Sequence, residues 1–312
     1  MTTRIRVATV EHKGAARAAF VFDQGVALLT AAAPGAPDDV RTLIGEWEQW
    51  RAEISAAVQA VDAGQLISLD EVSWLAPVIP RKLLCVGANY HDHVAEMDGP
   101  AGLASREAPF AYSFLKPSTA LTGSGRPVEH PSYGRKLDWE VELAVVIGDP
   151  AAARGAEPLD AVFGYTVLND LSLRDFIPFP HALGLDAVVS KGFDGAAPMG
   201  PWISLAGDVP DPQSLAVELR VNGEVMQKSS TAEMIFGVRE LVSHYARILS
   251  LESGDVIATG TPAGVGAART PPRFLAAGDR IEARIGDLGT LHTTIAAATA
   301  NDPLPTTTEV TA

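Results

Sequence analysis

The sequence predicts an α+β fold, mostly β, in which a small N-terminal α/β module precedes a larger strand-rich unit. Three observations predict it. Beyond Lys82 the apolar runs are short and punctuated by Gly, Pro, Asn and Asp. Several of them alternate apolar and polar residues, the period of a strand with one face turned inward. Helical spacing is confined to two stretches, residues 47–63 and 238–249.

In chain order, Arg4-Ile5-Arg6-Val7-Ala8 alternates like a strand, and residues 19–29 read as a hairpin turning at Asp23-Gln24-Gly25. Trp47, Trp50, Ile54, Val58 and Val61 recur at three- and four-residue steps and predict a helix. Residues 72–80, with Pro77 and Pro80, mark the passage into the main unit. The leading domain is therefore residues 1–75 and the main one 76–296. Strands are expected at residues 82–87, 161–168, 217–221, 255–258, 280–285 and 290–295, with Asn222-Gly223 as a hairpin turn. Ser230 and Glu233 have the spacing of a capping box ahead of a helix whose stripe is Val238, Leu241, Val242, Tyr245, Ile248 and Leu249. Residues 297–312 form an Ala/Thr/Pro-rich tail expected to be disordered.

Composition narrows the partners. Asp and Glu number 38 against 24 Lys and Arg, a net charge of −14. That field repels phosphate backbones and anionic lipid, so neither nucleic acid nor a membrane surface is an expected partner. An anionic substrate needs a local cluster of cations to offset it. The single cysteine, Cys85, excludes an intrachain disulfide and fits a reducing cytoplasm. The first residues lack the apolar run of a signal peptide, and no apolar run is long enough to span a bilayer.

The chemistry concentrates in residues 136–148. Asp138, Glu140 and Glu142 alternate with Leu137, Trp139, Val141, Leu143 and Val145, so three acids share one strand face with neighbours roughly 7 Å apart. Carboxylates held that close repel and lose hydration, and a hard divalent cation relieves both costs. A solvated acidic strand face fits the same spacing. Downstream of the apolar run 82–87, His93 and Glu96 stand at a spacing where helical side chains meet, and a carboxylate beside an imidazole makes a general base. A local surface pair is the alternative, and His91 with His93 could also belong to a ligand set. Asp170, after another apolar run, could supply a third carboxylate, and Arg174 could fork onto a substrate carboxylate. Lys191 sits among small residues, where an ammonium can hold an anion or a developing enolate. Residues 259–266 (TGTPAGVG) resemble a glycine-rich anion nest. They lack the ending of a P-loop, and the chain contains no G-x-S-x-G or H-E-x-x-H.

The order of these pieces closely resembles the fumarylacetoacetate hydrolase family over roughly residues 80–295. The pieces are Gly87-x-Asn89-Tyr90-x-x-His93-x-x-Glu96, Phe114-Leu115-Lys116-Pro117, Asp138-Trp139-Glu140-Val141-Glu142-Leu143, Asn169-Asp170-x-Ser172-x-Arg174-Asp175, Ser190-Lys191-Gly192-Phe193-Asp194 and the 259–266 segment. The resemblance implies a rolled, mixed β-sheet catalytic domain and a homodimer. It implies Mg²⁺ or Mn²⁺ on Glu140, Glu142 and Asp170, with His93, Glu96 and Lys191 catalytic. Tyr90, Arg174 and Thr261 would contact substrate, and the loop between Met97 and Phe110 would serve as a lid. The implied reaction is metal-assisted hydrolysis of a C–C bond in an anionic acylpyruvate or β-diketo acid. Decarboxylation of an oxaloacetate-like acid, isomerisation of a dienol diacid and dehydration of a sugar acid are the alternatives. One departure stands out: Ile177 occupies a position where many members carry glutamine, three residues after the arginine, and residues 176–189 are unusually apolar.

Overall fold

The computed structural model describes residues 4–97, 109–177 and 186–299. The expected lid and the tail therefore fall largely outside the described residues. A mixed eleven-stranded sheet forms the frame. Its main path runs Gly25–Leu28, Ala15–Phe22, Arg6–His12, Ala197–Leu205, Val162–Asn169, Val141–Ile147, Val256–Ala258, Leu83–Gly87 and Tyr112–Lys116. A second, five-stranded sheet orders Glu224–Ser230, Ala216–Val221, Arg280–Ile285, Thr290–Ala296 and Pro127–Glu129. Most pairs are antiparallel, whereas Val256–Ala258 lies parallel to Leu83–Gly87. The sheet is continuous from the leading segment into the main one, because Arg6–His12 pairs with Ala197–Leu205.

Most elements lie within a few residues of the positions their periodicity predicts. The 19–29 hairpin turns between Phe22 and Gly25, and the Asn222-Gly223 turn joins the 216–221 and 224–230 strands, both residues at positive φ as that turn demands. The helix Trp47–Ala60 buries Ile54 and Val58. One boundary moves. Ser230 caps only the short turn Thr231–Glu233, and the amphipathic helix begins at Val238 behind Gly237. The intervening residues are held elsewhere: Asn89 receives the Phe236 N–H and Gln213 the Val238 N–H.

The central strand Val141–Ile147 is buried on both faces. Val141, Leu143, Val145 and Ile147 pack toward the second sheet and the 238–248 helix, with Leu219, Ile281 and Tyr245. Ala144 and Val146 face the other way, toward Phe20, Leu43 and Ile54 of the leading segment. Glu142 shares that second face by strand alternation. A solvated acidic face is thereby excluded: Asp138, Glu140 and Glu142 are all buried. Burying a carboxylate without a partner is costly, so each of these three must be matched from another segment.

Candidate active site

The strand predicted through residues 136–148 is interrupted. Leu137–Asp138 pairs with Ser172–Leu173, and the main strand resumes only at Val141. The break separates the three acids that alternation alone would group. Asp138 turns away and accepts from the N–H groups of Trp139, Gly266 and Ala267 and from Arg174 Nε. Its place beside Glu140 and Glu142 is taken by Asp170, which leaves the neighbouring strand directly after Asn169. Ligand oxygens of Glu140, Glu142 and Asp170 lie within 4.8 Å of one another, all three buried.

Cations converge on this trio. Lys191, ending the short helix Ala187–Lys191, places Nζ 2.7 Å from Glu140 and 2.6 Å from Asp170. Lys116, at the end of Tyr112–Lys116, donates to the other Asp170 oxygen and to the Ala196 carbonyl. Arg174 spans Asp138 and Glu140 with two nitrogens. Burial opposes ionisation of Glu140, yet Lys191, Arg174 and His93 together hold its carboxyl down at about 2. Among the described residues no cation pairs directly with Glu142, and Lys191 lowers its carboxyl only from a distance. Burial, then the charges of Asp170 and Glu140, push it well above the usual carboxylate range, against one N–H from Gly260 at 2.8 Å. Burial disfavours the cationic form of Lys191, but Asp170 and Glu140 outweigh it and raise the ammonium above its ordinary value.

The His93–Glu96 pair forms as its spacing predicts, within the helix His91–Met97. His93 Nδ1 lies 2.7 Å from Glu96 Oε1. Glu96 is fixed in turn by the Gly264 N–H at 2.7 Å, and Asp92 binds Ser229 Oγ and the Ala263 N–H. The glycine-rich segment is thus an anion nest already filled from within. Gly260, Ala263, Gly264, Gly266 and Ala267 spend their N–H groups on Glu142, Asp92, Glu96 and Asp138. The nest suggested by the sequence is therefore not open to a diffusible anion at these five N–H groups. The chain's own acids outcompete a diffusible anion because they are tethered within reach.

Among the expected substrate contacts, Tyr90 is wholly buried, and burial with the Glu142 charge pushes its phenol up. Thr261 Oγ1 donates to the Val141 carbonyl and accepts from Gln227 Nε2. Arg174 meets carboxylates of the chain itself, and Asp175 accepts from the N–H groups of Arg135 and Lys136 rather than pairing with it. Ile177 lies within the described residues; most of the apolar segment after it does not. Lys116, Asn89, Asn169 and Gln227 have structural roles at the site that sequence reasoning did not assign. Lys116 offered a signal, a lone lysine closing an apolar run before a proline. Gln227 offered none, since its partners lie 34 to 86 residues away.

Residues 82–296 match the family profile described as Fumarylacetoacetate (FAA) hydrolase C-terminal. The chain is 40% identical over 234 residues to oxaloacetate tautomerase YisK of Bacillus subtilis, covering 74% of this chain and 75% of that protein. It is 38% identical over 271 residues to the mitochondrial oxaloacetate tautomerase FAHD2A of Bos taurus, covering 86% and 82%. Among solved structures, the fumarylacetoacetate hydrolase of Exiguobacterium antarcticum superposes with a TM-score of 0.75 at 33% identity, covering 94% of this chain and 99% of that one. A maleylpyruvate hydrolase of Sphingobium sp. SYK-6, in complex with manganese(II) and pyruvate, superposes at 0.73 with 29% identity, covering 94% and 100%.

Proposed function

The chain belongs to the fumarylacetoacetate hydrolase family, and we propose that within it this protein is a divalent-metal enzyme that interconverts the keto and enol forms of an oxaloacetate-like 2-oxo diacid. The observation that carries the reading is the joint geometry of one buried acid trio and one His–Glu pair, both held by the same 260–266 segment. It is supported by identity of 38–40% to relatives named oxaloacetate tautomerases. The donor set fits a hard ion: three carboxylates at ligand spacing, with no soft ligand among them. Glu140, Glu142 and Asp170 would hold Mg²⁺, or Mn²⁺ in its place. A divalent ion there supplies Lewis-acid polarisation of a 2-oxo group.

The chain's own residues do the rest. With Nδ1 engaged by Glu96, His93 keeps Nε2 for the proton that leaves and returns at the carbon beside the oxo group. Glu96 fixes the ring's orientation through Nδ1. Lys191, held by Glu140 and Asp170, would offer its ammonium to charge developing on an enolate oxygen beside the trio. A homodimer is proposed with this reading on the family resemblance, and sedimentation velocity distinguishes one chain from two.

The experiment follows oxaloacetate enol by ultraviolet absorbance with Mg²⁺ present. Wild type should accelerate interconversion. Glu140→Gln should lose both Mn²⁺ binding, read by electron paramagnetic resonance, and turnover. His93→Ala should keep Mn²⁺ and lose roughly 10²–10⁴ in rate. A metal-loaded wild type that leaves oxaloacetate at its uncatalysed rate sinks the reading. The second reading, hydrolysis of an acylpyruvate by a His93-activated water, is favoured by the same 2.7 Å dyad. Cleavage of acylpyruvates by that preparation would select it.

A further inference from the structure

Next to the break between Asp138 and Val141, the backbone polar groups of residues 140 and 141 are all met from other segments, the Glu140 carbonyl by an extension of the Val141–Asn169 pairing. The Glu140 N–H donates to Asn169 Oδ1 at 3.0 Å, and its carbonyl accepts from the Asp170 N–H at 2.8 Å. The Val141 N–H donates to Gln227 Oε1 at 3.0 Å, and its carbonyl accepts from Thr261 Oγ1 at 3.0 Å. Residue 141 is the hinge of the acid trio, since its two chain neighbours are Glu140 and Glu142.

Gln227 comes from the other sheet, on the strand Glu224–Ser230, and is wholly buried. Its Nε2 donates to Thr261 Oγ1 and to the Pro262 carbonyl, both at 2.8 Å. The amide orientation is therefore forced: the Val141 N–H can only donate and the Pro262 carbonyl can only accept. Forced in the same way, the Thr261 hydroxyl proton points at the Val141 carbonyl. The result is a closed ring of three hydrogen bonds through Val141, Gln227 and Thr261. That ring ties the acid-bearing segment to the loop whose Gly260 N–H holds Glu142.

We propose that Gln227 is a positioning residue for the metal-binding acids, holding residue 141 against Thr261 and Pro262 so that Glu140 and Glu142 stay at ligand spacing. This rests on reading the trio as a metal site. It also assigns the Thr261 hydroxyl to the scaffold, with its proton committed before any substrate arrives. Groups that hold ligand-bearing segments in place typically govern affinity as strongly as the outer partners of ligands do.

The test compares wild type with Gln227→Glu, Gln227→Met and Thr261→Val. Far-ultraviolet circular dichroism reads the fold, and paramagnetic resonance of free Mn²⁺ reads affinity without substrate. Gln227→Glu keeps the size and the acceptor for Val141 but loses both N–H donors. Folded Gln227→Glu should bind Mn²⁺ roughly 10–100-fold more weakly. Thr261→Val should weaken binding in wild type and add little in the Gln227→Glu background, because one ring is broken in both. If the Gln227 variants do not fold, Thr261→Val alone reads the ring. A wild type that binds Mn²⁺ beside folded variants of equal affinity overturns the inference and spares the metal site. A wild type that binds no Mn²⁺ overturns both.

Discussion

Glu142 and Glu140 sit on either side of one residue and respond to pH with opposite signs. The folded-state pKa of Glu142 is raised by burial and by Asp170 and Glu140. Its contribution to stability is therefore full below the unfolded value of about 4.3 and lost as pH rises through the folded one. For Glu140 the folded value is depressed to about 2, so its contribution is complete above about 4.3 and is lost only as pH falls toward 2. Of these two acids, Glu142 is the one whose contribution changes above pH 5. Protein stripped of metal with a chelator should show a thermal midpoint that declines from pH 5 to pH 8. Added Mg²⁺ should raise the midpoint more at pH 8 than at pH 5, since binding requires the ionised carboxylate. A midpoint that rises with pH in chelator would contradict the assignment. Cys85, buried beneath the same cluster, has its thiol pushed up by burial and then by Asp170. At pH 8 a disulfide exchange reagent should leave native protein untouched and titrate one thiol after denaturation.

The 259–266 segment is the element that binds the halves of the site together, and its glycines are there for space. A side chain at Gly266 would place Cβ 1.9 Å from the Arg273 carbonyl and 2.6 Å from Asp138 Oδ1. Neither atom can move away cheaply: the first is backbone and the second accepts N–H groups from Gly266 and Trp139. Gly264 is similar, with positive φ and the Met226 carbonyl 2.2 Å from its missing Cβ. Gly266→Ala should cost roughly 1–3 kcal/mol of stability, measured by urea unfolding, and should lower Mn²⁺ affinity because Asp138 is displaced from Arg174. The sequence displayed these glycines openly and suggested an anion nest. It could not show that the anions come from Glu142, Asp92, Glu96 and Asp138, because contacts 100 residues or more apart in the chain leave no local pattern.

Across the whole molecule, the leading segment is part of the frame. Arg6–His12 pairs with Ala197–Leu205, while Phe20, Leu43 and Ile54 cover the face that carries Ala144, Val146 and Cys85. A fragment starting at residue 76 should therefore fail to give a soluble cooperative fold, as judged by circular dichroism and thermal unfolding. A fragment that unfolds cooperatively near the full-length midpoint would show the leading segment to be dispensable. Charge is also arranged globally. The chain carries −14, yet Lys116, Lys191 and Arg174 converge on Asp138, Glu140, Glu142 and Asp170. Once Glu142 is ionised, three cations face four carboxylates, and a divalent ion, whose binding needs that ionised form, reverses the sign in favour of an anionic substrate.

The sequence by itself determined many of the strands, but not Tyr112–Lys116 or Ala197–Leu205. It also determined the hairpin turns, the His93–Glu96 spacing and the order of motifs that marks the family. These depend on neighbours a few residues apart, where period and turn chemistry act directly. The family resemblance named Glu140, Glu142 and Asp170, but the residue pattern alone did not, and the tertiary structure is what brings those acids together. Alternation grouped Asp138 with Glu140 and Glu142, and the break before Val141 exchanged Asp138 for Asp170. Beside that break Asn169 holds the Glu140 N–H, and Gln227 and Thr261 hold the N–H and carbonyl of Val141. Hydrogen bonds between distant segments carry no signature in the local order of residues.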